Sequence, residues 1–550
     1  MRRLLALAAL VLQISIGGGA ARAEPQQMVA AAHPLAVEAG LDVLRRGGSA
    51  VDAAVAVQMM LGVVEPQASG IGGGGFLLYY DAWTRGITVY DGRETAPMGA
   101  RPGMLLDNTG NPLPFPQAVA SGLSVGVPGT VALLEMAHKE HGKLPWADLF
   151  GASIAAARDG FAVSPRLAAW LNILKGFRDD PSARATYFDA DGSPKKLGER
   201  VTNPALADTM QRIASEGARA LHEGPIAEEM VSRVHGNKRP GTLALSDLVS
   251  YRAVKREPVC GPYRVWIVCG MPPPSSGGIA VLQMLGLLEP FDLARDKPND
   301  LRALHLIAEA GRLAFADRAR YVADPAYVRV PTDALISPSY LAERRKLISE
   351  SRSMGEQGGP VAAGYIERGT SHVTIVDRAG NAVAFTTTIE GPFGAHMMVG
   401  GFILNNELTD FSPVFERDGK PVANRVEPGK RPRSSMSPTF VLDRSRKLVL
   451  ALGSAGGQRI IGDVFHALVG MLDWNLSPQA ALDLPRVANM NGLTELEDKG
   501  ALPAQADALR KLGHQVQVRR HEGGLTAIRR SGDGWKGGAD LRRDGVAKGD

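Results

Sequence analysis

Signatures of bound metal and nucleotide are missing from this 550-residue chain. There is no His-Glu-x-x-His run, no Cys-x-x-Cys pair and no P-loop, so neither a zinc centre nor a phosphate cradle is indicated, and no metal or organic cofactor is expected. Charge of one sign is scarce as well: 62 Lys and Arg stand against 57 Asp and Glu, a net of +5, and the two signs are interspersed. That leaves no basic stripe for nucleic acid and no polybasic segment for a membrane surface. After the first two dozen residues no apolar run approaches the ~20 residues that a bilayer requires, so no membrane span is expected in the mature chain. Heptads, internal repeats and low-complexity blocks are also lacking.

What is there is ordinary globular material. Hydrophobic residues make up 45% and charged residues 22%, enough apolar surface for extensive cores in a chain of this length. Residues 1–23 differ: Arg2 and Arg3 precede the apolar run Leu4 to Ile16, and Ala21-Arg22-Ala23 supplies the small-x-small pattern of a signal-peptidase site. The mature chain is expected to begin at Glu24 and to be secreted, into the periplasm where the cell has one.

Helical spacing of apolar residues predicts helices over Pro34 to Leu44, Ser49 to Leu61, Trp146 to Arg158, Leu301 to Ala323, Leu341 to Ile348 and Ile460 to Leu472, with Ser337-Pro338 as a capping pair. From Ser371 the texture changes to β-branched alternation. Val373, Ile375 and Ala382 to Thr388 flank the turn-forming Asp377-Arg378-Ala379-Gly380-Asn381, which predicts a hairpin, and Thr439 to Leu442 with Lys447 to Leu452 predicts another strand pair. Between the two textures, Ser351 to Gly369 is rich in Gly, Ser and charge without an apolar period, and reads as a mobile surface segment.

Three features carry competing readings. Cys260 and Cys269 flank a turn and a strand; in an oxidising compartment the pair suits a hairpin bridge, and two small buried apolar side chains suit the same pattern. Gly70-Ile71-Gly72-Gly73-Gly74-Gly75 contains G-x-G-x-x-G, but no strand precedes it and no helix follows, so it reads as backbone packed close to a neighbouring layer. His372, beside Thr370, reads as a strand residue in preference to a base or ligand.

The run Gly369-Thr370-Ser371-His372-Val373-Thr374-Ile375-Val376-Asp377, with Gly380-Asn381-Ala382-Val383, Leu404-Asn405-Asn406-Glu407 and Asp410-Phe411-Ser412, resembles the γ-glutamyltransferase (glutathione hydrolase) family. Further family-like blocks are Arg93-Glu94-Thr95-Ala96-Pro97, Gly126-Val127-Pro128-Gly129-Thr130, Pro272 to Gly278, Arg431 to Pro438 and Gly453-Ser454-Ala455-Gly456-Gly457, in family order across almost the whole mature chain. The resemblance implies an α+β fold, the four-layer αββα sandwich of N-terminal-nucleophile hydrolases. It also implies self-cleavage between Gly369 and Thr370 into a large subunit (24–369) and a small subunit (370–550) that build one continuous unit together.

The chemistry is consistent with residue types. A threonine hydroxyl is a weak nucleophile unless a base lies close, and a free α-amino group on the same residue, with a reference pKa near ~8, is such a base. Severing the bond before Thr370 therefore creates the catalyst. By the resemblance, Thr370 first attacks its own preceding carbonyl and later the γ-glutamyl carbonyl of glutathione and related compounds, with water or an amino acid or peptide amine as acceptor. Thr388 matches the family threonine that hydrogen-bonds the nucleophile. Gly456 and Gly457 are candidate oxyanion donors, because consecutive glycines allow close approach of backbone N–H groups. A γ-glutamyl donor carries an α-carboxylate and an α-ammonium. Arg93 with Ser434 and Ser435 suits the first, and Glu407 with Asp410 suits the second.

Two departures bear on specificity. Glu390 stands where many members carry asparagine, and its charge either binds the ammonium or weakens carboxylate recognition. The stretch between Asp410 and Arg431 is short and has no tyrosine, where some members fold a tyrosine-bearing lid. A more open pocket predicts hydrolysis over transpeptidation, and it keeps a second reading in view: a related acylase acting on glutaryl or cephalosporin side chains.

Overall fold

The computed structural model describes residues 24–357 and 369–550. The secretory signal read in residues 1–23 lies outside them, as do residues 358–368 of the segment read as mobile. The part of that segment that is described, 351–357, is docked: Ser353 N–H donates to Leu512 O, and Gln357 N–H donates to Asn491 Oδ1.

Two antiparallel sheets organise the chain. The first runs, in spatial order, Val546–Gly549, Met28–Ala31, Ser371–Val376, Ala382–Thr388, Gly74–Tyr80, Ile87–Asp91 and Val254–Arg256. The second runs Gly534–Ala539, Thr526–Ser531, Leu448–Gly453, Thr439–Leu442, Trp266–Gly270 and Val259–Tyr263. Strands from both sides of Thr370 interleave in each sheet, so neither part could keep its sheet without the other. Mixed helices and sheets make this an α+β protein.

Strand alternation explains the packing. On the first sheet Val29, Ala31, Leu77, Tyr79, Val373 and Val383 point into one core with the helices Pro34–Arg45 and Ala50–Val64. Their neighbours Met28, Ala30, Phe76, Leu78, Ala382 and Ala384 join a second core with the other sheet and the helices Gly277–Leu288, Leu301–Tyr321 and Arg459–Leu472. Both faces of these strands are buried, which is why the predicted alternation is β-branched and apolar throughout. Ala50–Val64 is apolar almost all round because it is buried on every side, and a reciprocal Ser49–Asp52 capping box starts it.

The predicted hairpin forms: Asp377 Oδ1 accepts N–H groups from Ala379 and Asn381. Two helix boundaries differ from expectation. Trp146 to Arg158 divides into a 3-10 turn, Trp146–Leu149, and a helix, Gly151–Asp159; Phe150 between them is buried with its ring against Trp146. The helix expected at Leu341 to Ile348 is Pro338–Arg345, because Ser337 accepts from Tyr340 N–H and fixes the first turn at Pro338. Cys260 and Cys269 are cross-strand partners and are bridged, which settles the two readings of that pair. Among the described residues no helix is long and apolar enough to cross a membrane.

Candidate active site

Thr370 opens the strand Ser371–Val376 at the centre of the first sheet, paired with Ala382–Thr388, and this pairing brings Thr370 Oγ1 to 3.0 Å from Thr388 Oγ1. Thr388 Oγ1 accepts Glu390 N–H at 2.8 Å, which orients its own proton away from that donor. Thr370 N–H donates to Ala68 O at 2.8 Å, so an α-amine at that nitrogen has an acceptor in place. Ala68 belongs to the loop leading into the glycine run. There the expected close packing is observed: a Cβ on Gly73 would lie 1.9 Å from Thr388 O. The glycines hold the loop against the strand that carries Thr388, and nothing in them is a nucleotide site.

The junction itself is tight. Thr370 adopts φ 74°, a conformation that a β-branched residue holds at a cost on the order of 1–3 kcal/mol. A Cβ on Gly369 would meet Glu390 O at 2.0 Å, so only glycine fits before the threonine. The φ restriction exists only while a peptide bond precedes Thr370, so a cut at that bond would release the strain.

Arg93, Glu390, Glu407, Asp410, Ser434, Ser435 and Gly457 line one narrow cleft with Thr370 and Thr388. Gly456, at φ 129°, precedes Gly457 beside Glu522 O. Ile460, in the first turn of Arg459–Leu472, also lines the cleft, so the positive end of that helix abuts it. The opposite charges pair with each other: Arg93 donates to Glu407 and Asp410, and to the carbonyls of Pro432 and Arg433 at 3.1 and 3.2 Å. A zwitterionic ligand can exchange with these pairs, its carboxylate replacing an acid on Arg93 and its ammonium meeting the acid set free.

Acid outnumbers base here. Glu94, Glu390, Glu407 and Asp410 act on the guanidinium of Arg93. Burial opposes the charge of Arg93, but Glu407 and Asp410 outweigh it and raise its pKa. Burial pushes Glu94 up to about 7. Burial, with Asp410 and Glu407 nearby, holds Glu390 well above the ordinary carboxylate range, which favours its protonated form.

Several residues of the site were not singled out from sequence. Asn406 takes Gly391 N–H on Oδ1 and donates to Glu390 Oε2, and so holds the departing residue in the cleft. Arg318 donates to Ser435 Oγ and Ser276 Oγ at 2.7 and 2.8 Å, fixing one of the two pocket hydroxyls; Ser434 Oγ accepts Met436 N–H. Arg543, near the chain end, donates to Thr370 O at 2.7 Å. The Arg318–Ser435 and Arg543–Thr370 contacts span more than a hundred residues, and no local pattern announces them.

Other constellations are structural. His372 is buried, its ring lies against Gly453, and burial lowers its pKa to about 3, in line with a strand residue. Gly122-Leu123-Ser124-Val125-Gly126 formally spells G-x-S-x-G, yet Ser124 sits in a buried turn and donates to the Val119 and Ser121 carbonyls. His305, Glu309 and His514 have the proximity of metal ligands. Their hydrogen bonds are nevertheless complete. Ser349 O accepts from His305 Nε2, which leaves His305 Nδ1 to accept from His514 Nε2 and His514 Nδ1 to accept from Thr494. Glu309 takes Ser353 Oγ–H and Met354 N–H, so the trio pins residues 349–354.

Comparison with known proteins follows the same lines. Residues 36–550 match the family described as gamma-glutamyltranspeptidase. The chain is 38% identical to the glutathione hydrolase proenzyme of Bacillus subtilis (strain 168), over 95% of this chain and 91% of that protein. It is also 38% identical to the acylase ACY 1 proenzyme of Pseudomonas sp. (strain SE83), over 94% of this chain and 92% of the other. Among solved structures, the cephalosporin acylase of Bacillus halodurans superposes with a TM-score of 0.84 at 29% identity, covering 96% of each chain.

Proposed function

The chain belongs to the gamma-glutamyltranspeptidase family, and from that premise we propose that it is a self-processing γ-glutamyl hydrolase and transferase acting on glutathione and related amides. The observation that carries this reading is the meeting, in one cleft, of Thr370 behind an obligatory glycine with an arginine and two acids suited to an amino acid head group.

In this reading the precursor cuts itself at Gly369–Thr370 into subunits 24–369 and 370–550, after loss of residues 1–23 on export. The two subunits form the four-layer αββα sandwich, which the two facing sheets and the helices outside each of them support. The freed α-amine, held near Ala68 O, takes the Thr370 hydroxyl proton as Oγ1 attacks the γ-glutamyl carbonyl carbon. The tetrahedral oxyanion is met by the N–H groups of Gly456 and Gly457. The proton passes to the departing amine, and water or an acceptor amine then resolves the ester on Thr370. Arg93, Ser434 and Ser435 take the donor carboxylate, and Glu407 and Asp410 its ammonium.

Hydrolysis outweighs transfer in this proposal. The segment after Asp410 folds as a short exposed hairpin, Glu416–Arg417 with Lys420–Pro421, and carries no tyrosine to cover the cleft. Release of free glutamate is accordingly expected to exceed γ-glutamyl transfer to glycylglycine at modest acceptor concentration.

N-terminal sequencing of the smaller fragment from active protein tests the central claim, with Thr-Ser-His-Val as the expected start. Glu390 and the similarity to acylases favour one second reading, a glutaryl or cephalosporin acylase. Turnover of γ-glutamyl-p-nitroanilide against glutaryl-p-nitroanilide separates them, since the acylase reading requires preference for the substrate without an α-amino group.

A further inference from the structure

A second buried guanidinium contacts the Gly369–Thr370 junction. Arg543 comes from the turn before the last strand, Val546–Gly549, and is 7% exposed. Its Nη1 donates to Thr370 O at 2.7 Å; its Nη2 reaches Glu522 O at 3.4 Å and Gly369 O at 3.5 Å. Its Nε is buried without a partner. Among the described residues no carboxylate lies within salt-bridge distance of it, so its direct partners are carbonyl oxygens, while Glu65, Asp540 and Glu522 favour its charge from longer range. Burial and the neighbouring Arg166 lower its pKa to about 9, which leaves it charged at neutral pH.

Such a cation has an unused donor and no anion in direct contact until one forms beside it. The oxygen of Gly369 is where an anion forms if Thr370 attacks the carbonyl that precedes it. Resting on the self-processing reading above, we propose that Arg543 is the oxyanion donor of self-cleavage. Thr370 Oγ1 bonds to the Gly369 carbonyl carbon, and the C=O electron pair moves onto the Gly369 oxygen. Arg543 Nη2–H closes the remaining fraction of an ångström to stabilise it. The carbonyl re-forms, the C–N bond to Thr370 breaks, and the hydroxyl proton ends on the departing nitrogen. Water then hydrolyses the ester to the Gly369 carboxylate and the free Thr370 hydroxyl. The contact is long in the ground state and shortens only as charge develops, which is the condition for lowering a barrier instead of merely binding.

Gly524 offers a way to move the guanidinium without deleting it. A Cβ there would stand 2.8 Å from Arg543 Nε and 2.9 Å from its Cζ, so Gly524→Ala displaces the group while preserving its charge.

The test follows conversion of newly made full-length precursor into two bands on a denaturing gel, for the wild type, Arg543→Gln, Arg543→Ala and Gly524→Ala, with Thr370→Ala as the uncut standard. Loss of the donor is expected to slow conversion on the order of 100-fold in Arg543→Gln. Gly524→Ala is expected to be slowed as well, and free guanidinium ion is expected to restore part of the rate to Arg543→Ala alone. Thermal midpoints against Thr370→Ala report whether each variant is folded. Wild-type rates in a folded Arg543→Gln or Gly524→Ala would overturn the assignment, as would slow cleavage of Arg543→Ala that guanidinium leaves unchanged. A wild-type chain that remains one band overturns the self-processing reading itself, which is a different result from a wild type that is cut and an Arg543 variant cut just as fast.

Discussion

Arg93 and Arg543 are both buried guanidinium groups close to Thr370, and they are satisfied in opposite ways. Arg93 is ion-paired with Glu407 and Asp410, in a cleft that Glu390 also lines and with Glu94 buried beside it. Arg543 hydrogen-bonds carbonyl oxygens only, with Glu65, Asp540 and Glu522 at longer range. The difference separates recognition from chemistry. A cation already paired with acids exchanges partners when a zwitterion binds, so it sorts substrates. A cation whose direct contacts are neutral carbonyls gains most when a neighbouring oxygen becomes an anion, which is the transition-state role proposed for Arg543.

The largest effect removes what both arginines serve. Thr370→Ala is expected to yield one uncut chain on a denaturing gel and no measurable release of p-nitroaniline from γ-glutamyl-p-nitroanilide. Two bands from that variant would detach both arginines from the proposed reaction.

Arg93→Gln sharpens the contrast next. It leaves Glu407 and Asp410 buried without a counter-charge, and breaking such pairs costs about 3–5 kcal/mol, so the thermal midpoint is expected to fall. The folded fraction should still cut itself, yet kcat/KM for γ-glutamyl-p-nitroanilide should drop about 100-fold or more, the scale of 2–5 kcal/mol for a truncated buried charge pair. Unchanged kcat/KM would remove Arg93 from recognition.

A smaller effect concerns the acid excess around Arg93. Glu390 has its pKa raised by burial and by Asp410 and Glu407, so it is protonated below that raised value. As pH climbs through it, the carboxyl ionises and repels a donor carboxylate. KM for γ-glutamyl donors is therefore expected to rise on the alkaline side in the wild type and to stay flatter in Glu390→Gln, with a gap of about 10-fold, one pKa unit of interaction. Parallel profiles would show that Glu390 does not face the donor.

Least of all should follow from the Cys260–Cys269 bridge, which lies in the edge strand pair of the second sheet. Replacing both cysteines by serine is expected to lower stability by at most ~3 kcal/mol, since the closed loop is short, and to leave turnover in place. A large loss of turnover would connect the second sheet's edge to the cleft.

Legibility followed range. The hairpin at Asp377–Asn381 and the capped helix starts were readable because turn and cap chemistry lies within four residues. The break at Phe150 was not, because burial of its ring against Trp146 overrode helical spacing. The residues that line the cleft were reached through motif blocks, and Asn406 lay inside one of them. Arg318 and Arg543 were missed, since each meets its partner across 117 and 173 residues respectively.

By itself the order of amino acids determined the central hairpin, the Thr439 to Leu452 strand pair, the long apolar helices and the residue types a γ-glutamyl site requires, because each of those rests on periodicity or on a short motif. Only the tertiary structure decided which charges meet. Glu390 and the Glu407–Asp410 turn converge on Arg93 from segments some three hundred residues away, and an arginine near the chain end reaches the Gly369–Thr370 junction through the first sheet. Electrostatic neighbours are set by folding in three dimensions, and in a buried, water-poor site those neighbours fix which groups are charged.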